Sequence, residues 1–459
     1  MTRLQLPSFL DSSDILEASA RRHAIRLHET WKLWREACPS AVDRSLEHII
    51  DAMLAAAQPA DLDTPRLRNW VTTSKGLANA YHTGSFIDTS YTCQYAIDAL
   101  APERLGELHT LRLWESLVDA IHAPCEWASD WCSVSLPRHV CFTVFGRLHV
   151  PAEHRRLRWK FESFGPQRRI TLDGIEPRIT LPGPRGHHLH VPATWGSESP
   201  ITVPSAGHFV SIPATCDDFA TPFRGSGPII NDHDTSAQWS TLLGEAFSLV
   251  ETAVPDIRRD CLLFVRAALP LFSGSLERFG SQSPEESEGL IYLPGTTSLA
   301  NLAECFVHEA MHVKLFHIEA LVPLFQSDSP ADDGYYSPWR PDPRPLRMLL
   351  HGCYVFTFVA FLWQQWATSA GMNLPDRATC YRNAFQRACE VLAGLAALRR
   401  FARMTPIGER LCQEISDAAH EVNSASPVAA EVRTSVTAAI EKHRRHHLKA
   451  GKCSDPLTF

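Results

Sequence analysis

The stretch "LANLAECFVHEAMHVKLFHIEAL", residues 299–321, decides the architecture of the C-terminal half of the chain. Apolar residues occur on nearly every side of a helix drawn through it, which is typical of a helix buried in a core. Thr297 or Ser298 precedes the stretch in the position of an N-cap, where a hydroxyl can accept a hydrogen bond from an unpaired backbone N–H. We therefore expect a capped, buried helix here.

His308 and His312 lie four residues apart in this helix, within the sequence His-Glu-Ala-Met-His. Residues at that spacing share one face of a helix, so that two imidazoles can bind one metal ion. A buried polar group without a partner costs about 1–3 kcal/mol, and a shared metal would satisfy both rings. The alternative is a pair of hydrogen-bonded core histidines. In a zinc peptidase, Glu309 would be the general base.

A metal site needs a third ligand, and three residues are candidates. His317 lies five residues after His312, which directs it away from the shared face. Glu319 is on that face, but about 10 Å farther along the axis at a rise of about 1.5 Å per residue. His351 is our predicted third ligand, because it is a polar residue near the start of a second apolar helix that includes residues 348–363. A hydrogen-bonded core histidine is the alternative.

The segment between the two helices, "DDGYYSPWRPDPRPLRMLLHG" (332–352), is rich in proline and arginine. The prolines stiffen the backbone, and Arg340, Arg344 and Arg347 all precede His351 closely in sequence. A guanidinium binds a carboxylate through two parallel hydrogen bonds. The segment therefore predicts capture of an acid beside the metal, with an ordinary surface turn as the alternative.

Three stretches in this order resemble one bacterial family. They are "AECFVHEAMHVKLFHIEAL" (303–321), "SPWRPDPRPL" (337–346) and "LLHGCYVFTFVA" (349–360), which together cover about residues 290–365. They are similar to the HExxH-motif family of 2-oxoglutarate-dependent peptide β-hydroxylases, which is associated with ribosomally made, modified peptides. The rest of the chain matches this family only in its order of segments, which are helical first and mixed afterwards.

The resemblance implies a non-haem iron(II)/2-oxoglutarate-dependent dioxygenase that uses O2 to hydroxylate the β-carbon of a residue in a precursor peptide. Its implied metal ligands are His308, His312 and His351, and its 2-oxoglutarate would be bound by Arg340 or Arg344. Glu309 would then be a group that orients the site or the substrate. Two alternatives stay open, namely a zinc metallopeptidase with Glu309 as its base, and a non-catalytic maturation or binding protein with structural histidines.

The sequence texture predicts an α+β fold that is predominantly helical. Residues 1–135 have helical periodicity, and residues 136–237 are rich in short strand and turn patterns. Residues 238–450 return to helical periodicity and contain the HExxH helix. We expect these to be an N-terminal helical region, a strand-rich middle region and a helical catalytic region, the last two either separate or packed as one unit.

The composition limits the partners that we expect. The net charge of −7 over 459 residues, without a strongly basic domain, gives no reason to expect nucleic acid. The N-terminus lacks the apolar segment of a signal peptide, and the thirteen cysteines are scattered singly. These features predict reduced thiols and a cytoplasmic location. The apolar run 348–363 contains His351 and Gly352, which favours a buried core helix over a membrane span.

Overall fold

The computed structural model of the chain describes residues 12–39, 42–83, 102–120, 127–128, 139–142, 146–149, 159–164, 167–172, 179–181, 197–198, 201–205, 208–212, 233–271, 280–285, 288–294, 298–330, 334–369 and 375–449. Within these residues the fold is mostly helical, as the sequence predicts.

Eleven helices form most of the described part of the chain. They are α1 (Ser12–Ala37), α2 (Arg44–Ala56), α3 (Pro65–Thr83), α4 (Pro102–Ala120), α5 (His233–Ala253), α6 (Pro255–Phe264), α7 (Leu299–Leu321), α8 (Leu346–Thr368), α9 (Arg377–Phe401), α10 (Pro406–Ala425) and α11 (Ala430–Lys449). The HExxH sequence is therefore on α7, and His351 is on α8.

The described strands are short. They are β1 (Trp127–Ala128), β2 (His139–Phe142), β3 (Gly146–His149), β4 (Trp159–Phe164), β5 (Gln167–Leu172), β6 (Ile179–Leu181), β7 (Ser197–Glu198), β8 (Ile201–Ser205), β9 (His208–Ile212), β10 (Ala267–Leu271) and β11 (Leu290–Pro294). The sheet orders are β1-β4-β5-β6, β2-β3-β7 and β8-β9-β10-β11. Strand β11 is buried and pairs in parallel with β10, with Ala267 opposite Leu290.

The chain forms two compact units. One consists of residues 1–16, 242–264 and 296–459, and the other of residues 17–241 and 265–295. Each unit is made of segments that are distant in sequence. The three regions predicted from the sequence stay a prediction.

Helix α7 begins and ends where its local sequence directs. The Ser298 hydroxyl accepts a hydrogen bond from the N–H of Asn301, which confirms the predicted N-cap. At the other end Val322 is extended and Pro323 follows it. Proline disfavours helical backbone in the residue before it, so the helix stops there. Fourteen residues of α7 are buried, which agrees with the buried helix expected from the apolar residues on nearly all of its sides.

Helix α8 packs against α7 and α9, and a tryptophan ring fixes one of these contacts. A Cβ added at Gly352 would lie 2.6 Å from Cζ3 of Trp339, and one added at Gly394 on α9 would lie 3.0 Å from its Cη2. The two glycines thus leave the space that the Trp339 ring occupies. The ring also stacks on Phe356, with centroids 5.0 Å apart. The proline-rich segment is anchored to the helices in this way.

The other unit has an aromatic cluster around a buried histidine. The ring of His109 on α4 stacks on Trp70 with centroids 4.9 Å apart and meets the edge of Trp34. Its Nε2 lies 2.8 Å from the Ser74 hydroxyl, whose own proton is donated to the Trp70 carbonyl. His109 therefore donates from Nε2, and burial lowers its pKa to about 3.

Two findings concern the predicted environment of the chain. Helix α8 is the one helix of the described part that is long and apolar enough to cross a membrane, but 72% of its most apolar window is buried inside the protein. Such burial is typical of a core helix. Seven cysteines are found as free thiols, namely Cys38, Cys261, Cys305, Cys353, Cys380, Cys389 and Cys412.

Candidate metal centre

The two histidines of the HExxH sequence face α8. The His308 ring meets the edge of Phe356, with centroids 4.7 Å apart, and the His312 ring stacks on that of His351 at 5.2 Å. The spacing of four residues places both rings on one side of α7, as predicted. The sequence therefore located the pair and also the helix that it packs against.

The ring nitrogens of this pair lie close together. Nε2 of His308 is 3.2 Å from Nε2 of His312. Metal–imidazole bonds are about 2.0–2.1 Å long, so that two nitrogens at this separation can both reach one ion. The spacing therefore fits two ligands of a common metal. It also fits a histidine–histidine hydrogen bond, which is the contact expected of structural histidines.

Both rings are part-buried, and loss of contact with water keeps them uncharged. It lowers the pKa of His308 to about 3, with a smaller contribution from the nearby Arg387 guanidinium. The pKa of His312 is held well below its usual value, first by burial and then by the neighbouring rings of His308 and His351. A neutral imidazole has one nitrogen lone pair for a metal, whereas an imidazolium has none. The pair is thus in a metal-binding protonation state at neutral pH.

His351 reaches the pair, but it does so on the Nδ1 side of His312. The two Nδ1 atoms lie 3.0 Å apart, and Nε2 of His351 lies 3.1 Å from Oε2 of Glu319. Both ring nitrogens of His351 thus face a protein neighbour in this arrangement. That His351 is the third metal ligand stays a prediction.

Glu319 has a contact that the sequence did not predict. Besides His351, its Oε2 accepts hydrogen bonds from Nε and Nη2 of Arg347, at 2.9 and 2.6 Å. Burial alone would raise the pKa of this carboxyl, but its hydrogen bonds with His351 and Arg347 and the charge of the guanidinium lower it overall. Glu319 is too far along the helix axis to bind the same ion directly, and its observed partners are His351 and Arg347.

Glu309 lies beside the histidine pair. Its side chain is buried, and Oε1 is 3.9 Å from Nε2 of His308. An acid at this position can interact with a molecule bound at the pair, either as a base or as an orienting group. Its role stays a prediction.

The two arginines predicted to bind a co-substrate pair with an aspartate of their own segment. Nη2 of Arg344 lies 3.0 Å from Asp342 Oδ2, and Nε of Arg340 lies 3.6 Å from Oδ1 of the same residue. The Arg340 side chain is 57% exposed. The backbone of Arg344 exchanges hydrogen bonds with Tyr335. These contacts describe a stiff turn, and the co-substrate role of both arginines stays a prediction.

Arg387 is the guanidinium that the sequence reasoning missed. It lies on α9 and covers the ring of Phe356 at 4.9 Å, the same ring that meets His308. Its nitrogens bind Glu304 at 3.2 Å and Glu390 at 3.0 Å. Because Glu304 also accepts a hydrogen bond from Trp363 of α8, this acid joins three helices one turn before His308. No local sequence signal distinguishes Arg387 from the other arginines of α9.

His317 is placed as expected from its spacing. Its ring is buried and packs against Phe264 of α6, with centroids 5.3 Å apart.

Two nitrogens do not complete a metal site. Within the described part of the chain, no group of three or more His, Cys, Asp or Glu side chains is arranged to hold a metal ion. The residues present thus fit the predicted ion through two ligands, and further ligands would have to come from a rearranged neighbour or from bound small molecules. Comparison with protein-family models and with curated proteins finds no match for this chain.

Proposed function

We propose that the chain is an iron(II)- and 2-oxoglutarate-dependent oxygenase that hydroxylates the β-carbon of a residue in a ribosomally made precursor peptide. The observation that carries the proposal is the pair of neutral, part-buried imidazoles whose Nε2 atoms lie 3.2 Å apart. The three quoted stretches that resemble peptide β-hydroxylases support the choice of this reaction class. The chemistry is metal-dependent oxidation rather than a reaction of the side chains themselves.

His308 and His312 would bind the iron in this proposal, since their lone pairs are available at neutral pH. Bound iron(II) with 2-oxoglutarate would supply the oxidising power that an unactivated C–H bond requires. The chain itself would limit the access of water to the pair, because α7 and α8 bury most of their residues and both histidines are part-buried. Glu309 would orient the substrate beside His308.

The co-substrate needs a cation for its carboxylate. Arg344 and Arg340 are the residues predicted for this role, and both would have to exchange Asp342 for 2-oxoglutarate. Arg387 covers the Phe356 ring that meets His308, but it already binds two glutamates. The two carboxylates around Arg387 carry more negative charge than the guanidinium neutralises, which disfavours binding of a further anion there. Arg387 is therefore the weaker candidate.

A zinc metallopeptidase is the second candidate. The placement of Glu309 favours it, because a buried acid next to a histidine pair can activate a metal-bound water. The two candidates differ in their dependence on this acid. A peptidase requires Glu309 as its base, whereas an oxygenase needs it at most for orientation.

Metal content tests the shared part of both candidates. Protein purified without oxygen should bind about one metal ion per chain, iron for the oxygenase or zinc for the peptidase, and His308→Ala and His312→Ala should each lose it. His317→Ala is a matched control on the same helix, because its ring packs against Phe264 instead, and it should keep the metal. Equal metal content in all four proteins would contradict the proposed site.

Activity then separates the candidates. For an oxygenase, Glu309→Gln should retain metal and some conversion of 2-oxoglutarate to succinate. For a peptidase, the same variant should retain zinc but lose peptide cleavage. Cleavage of peptides by the wild type without 2-oxoglutarate would reject the oxygenase.

A further inference from the structure

Glu319 is held in its ionised form by Arg347. The guanidinium donates from two nitrogens to the same carboxylate oxygen, at 2.9 and 2.6 Å. Charge-assisted pairs of this kind favour the carboxylate over the carboxylic acid. An ionised carboxylate has no proton to donate, so that it must accept at its 3.1 Å contact with His351. Nε2 of His351 therefore carries a proton.

The same order of hydrogen bonds follows from the metal end of the chain. In the proposed site a metal takes the lone pair on Nε2 of His312, the atom 3.2 Å from His308, so that the single proton of this neutral ring is on Nδ1. That Nδ1 lies 3.0 Å from Nδ1 of His351, which is then the acceptor. The two ends of the chain, the arginine and the proposed metal, thus require the same direction for each hydrogen bond.

From this order of hydrogen bonds we infer that Glu319 and Arg347 are positioning residues that act on His312 through His351. The Arg347–Glu319–His351 chain holds the His312 ring with Nε2 bare and directed at the metal position. Groups that orient a metal-ligating histidine raise its basicity, and their loss typically lowers metal affinity about 10- to 100-fold. The inference rests on the proposed metal site and assigns His351 a role other than that of a direct ligand.

Helix geometry explains why a second histidine is needed. Glu319 is seven residues after His312, two turns along the same face and about 10 Å away at about 1.5 Å per residue. A carboxylate at that distance cannot bind the His312 ring itself. The His351 ring, which is fully buried, spans this gap from α8.

Cobalt(II) titration of the metal-free full chain tests the inference, with visible absorption as the readout. Glu319→Gln should weaken cobalt binding about 10- to 100-fold without changing the absorption spectrum of the bound ion. Arg347→Lys keeps a positive charge but loses the two-nitrogen contact, and it should weaken binding less. Since the Arg347 side chain is 38% exposed, this second variant tests the inference even if Glu319→Gln does not fold.

Asp260→Asn is the matched control. It removes an ion pair to Lys314, which lies on α7 between His312 and Glu319 but outside the hydrogen-bonded chain. It should lower stability and leave cobalt affinity unchanged. If Asp260→Asn weakened cobalt binding as much as Glu319→Gln does, loss of any ion pair on α7 would have this effect, and the inference would be overturned.

His351→Asn separates positioning from direct ligation. Asparagine retains an acceptor near the former Nδ1, so that the spectrum of bound cobalt should be preserved while affinity falls. A changed spectrum would make His351 a ligand and overturn the inference, although the proposed function would stand. If Glu319→Gln and Arg347→Lys both bound cobalt as tightly as the wild type, the positioning inference would be overturned and the proposed function would stand. Wild-type protein that binds no cobalt would reject the proposed function as well.

Discussion

Replacing Gly352 by alanine tests how the proline-rich segment is anchored. The new Cβ would lie 2.6 Å from Cζ3 and 2.8 Å from Cε3 of Trp339, closer than carbon atoms approach. The ring has little room to move, because Gly394 and Phe356 border it as well. Overpacking of this kind costs about 1–3 kcal/mol. Alanine gains about 1 kcal/mol over glycine in a helix, so the net expectation is a loss of about 1 kcal/mol.

The decisive quantity is whether Gly352→Ala raises or lowers the free energy of unfolding, which urea unfolding of the full chain measures. In a Trp339→Ala background the clash is absent, so that Gly352→Ala should stabilise the protein by about 1 kcal/mol through helix propensity. The same substitution should thus change sign with the residue at position 339. Stabilisation by Gly352→Ala in the wild-type background would refute the packing of Trp339 on Gly352.

Three further predictions concern other contacts. Arg387→Met should lower the free energy of unfolding by about 2–4 kcal/mol, because the carboxylates of Glu304 and Glu390 lose their partner, and a second change of Glu304→Gln should recover part of the loss. The folded-state pKa of His109 is about 3, against an ordinary value of 6.5, so only the unfolded chain takes up this proton below pH 6.5. The free energy of unfolding should thus fall by about 1.4 kcal/mol per pH unit below 6.5. Urea unfolding near pH 7.5 and near pH 5.5 measures this fall, which should be about 1.4 kcal/mol smaller in His109→Gln than in the wild type. Equal falls in the two proteins would contradict the low pKa of His109. Arg344→Ala should raise the 2-oxoglutarate concentration for half-maximal succinate release about 10- to 100-fold, and no shift for Arg344→Ala, Arg340→Ala or their double variant would exclude this binding role.

The features that the sequence predicted are those set by local interactions. The span and the cap of α7 follow from apolar periodicity and from one hydroxyl at Ser298, both of which act within a few residues. The shared face of His308 and His312 follows from the helical repeat alone. The core position of His351 follows from the apolar run around it.

The features that it missed depend on packing between distant segments. Glu319 meets His351 because α7 and α8 lie side by side, and Arg387 approaches His308 only through Phe356 and the position of α9. The role of Gly352 is visible only once the Trp339 ring is seen against it. Tertiary contacts of this kind leave no periodic signal in a single sequence.

In the proposed function, His308 and His312 bind the iron of a 2-oxoglutarate-dependent oxygenase. This binding is tested by the succinate released from 2-oxoglutarate when iron-loaded, oxygen-free protein is exposed to O2. We expect succinate from the wild type and none above background from His312→Ala. Succinate release that persists in His312→Ala, or its absence from iron-loaded wild type, would exclude this function.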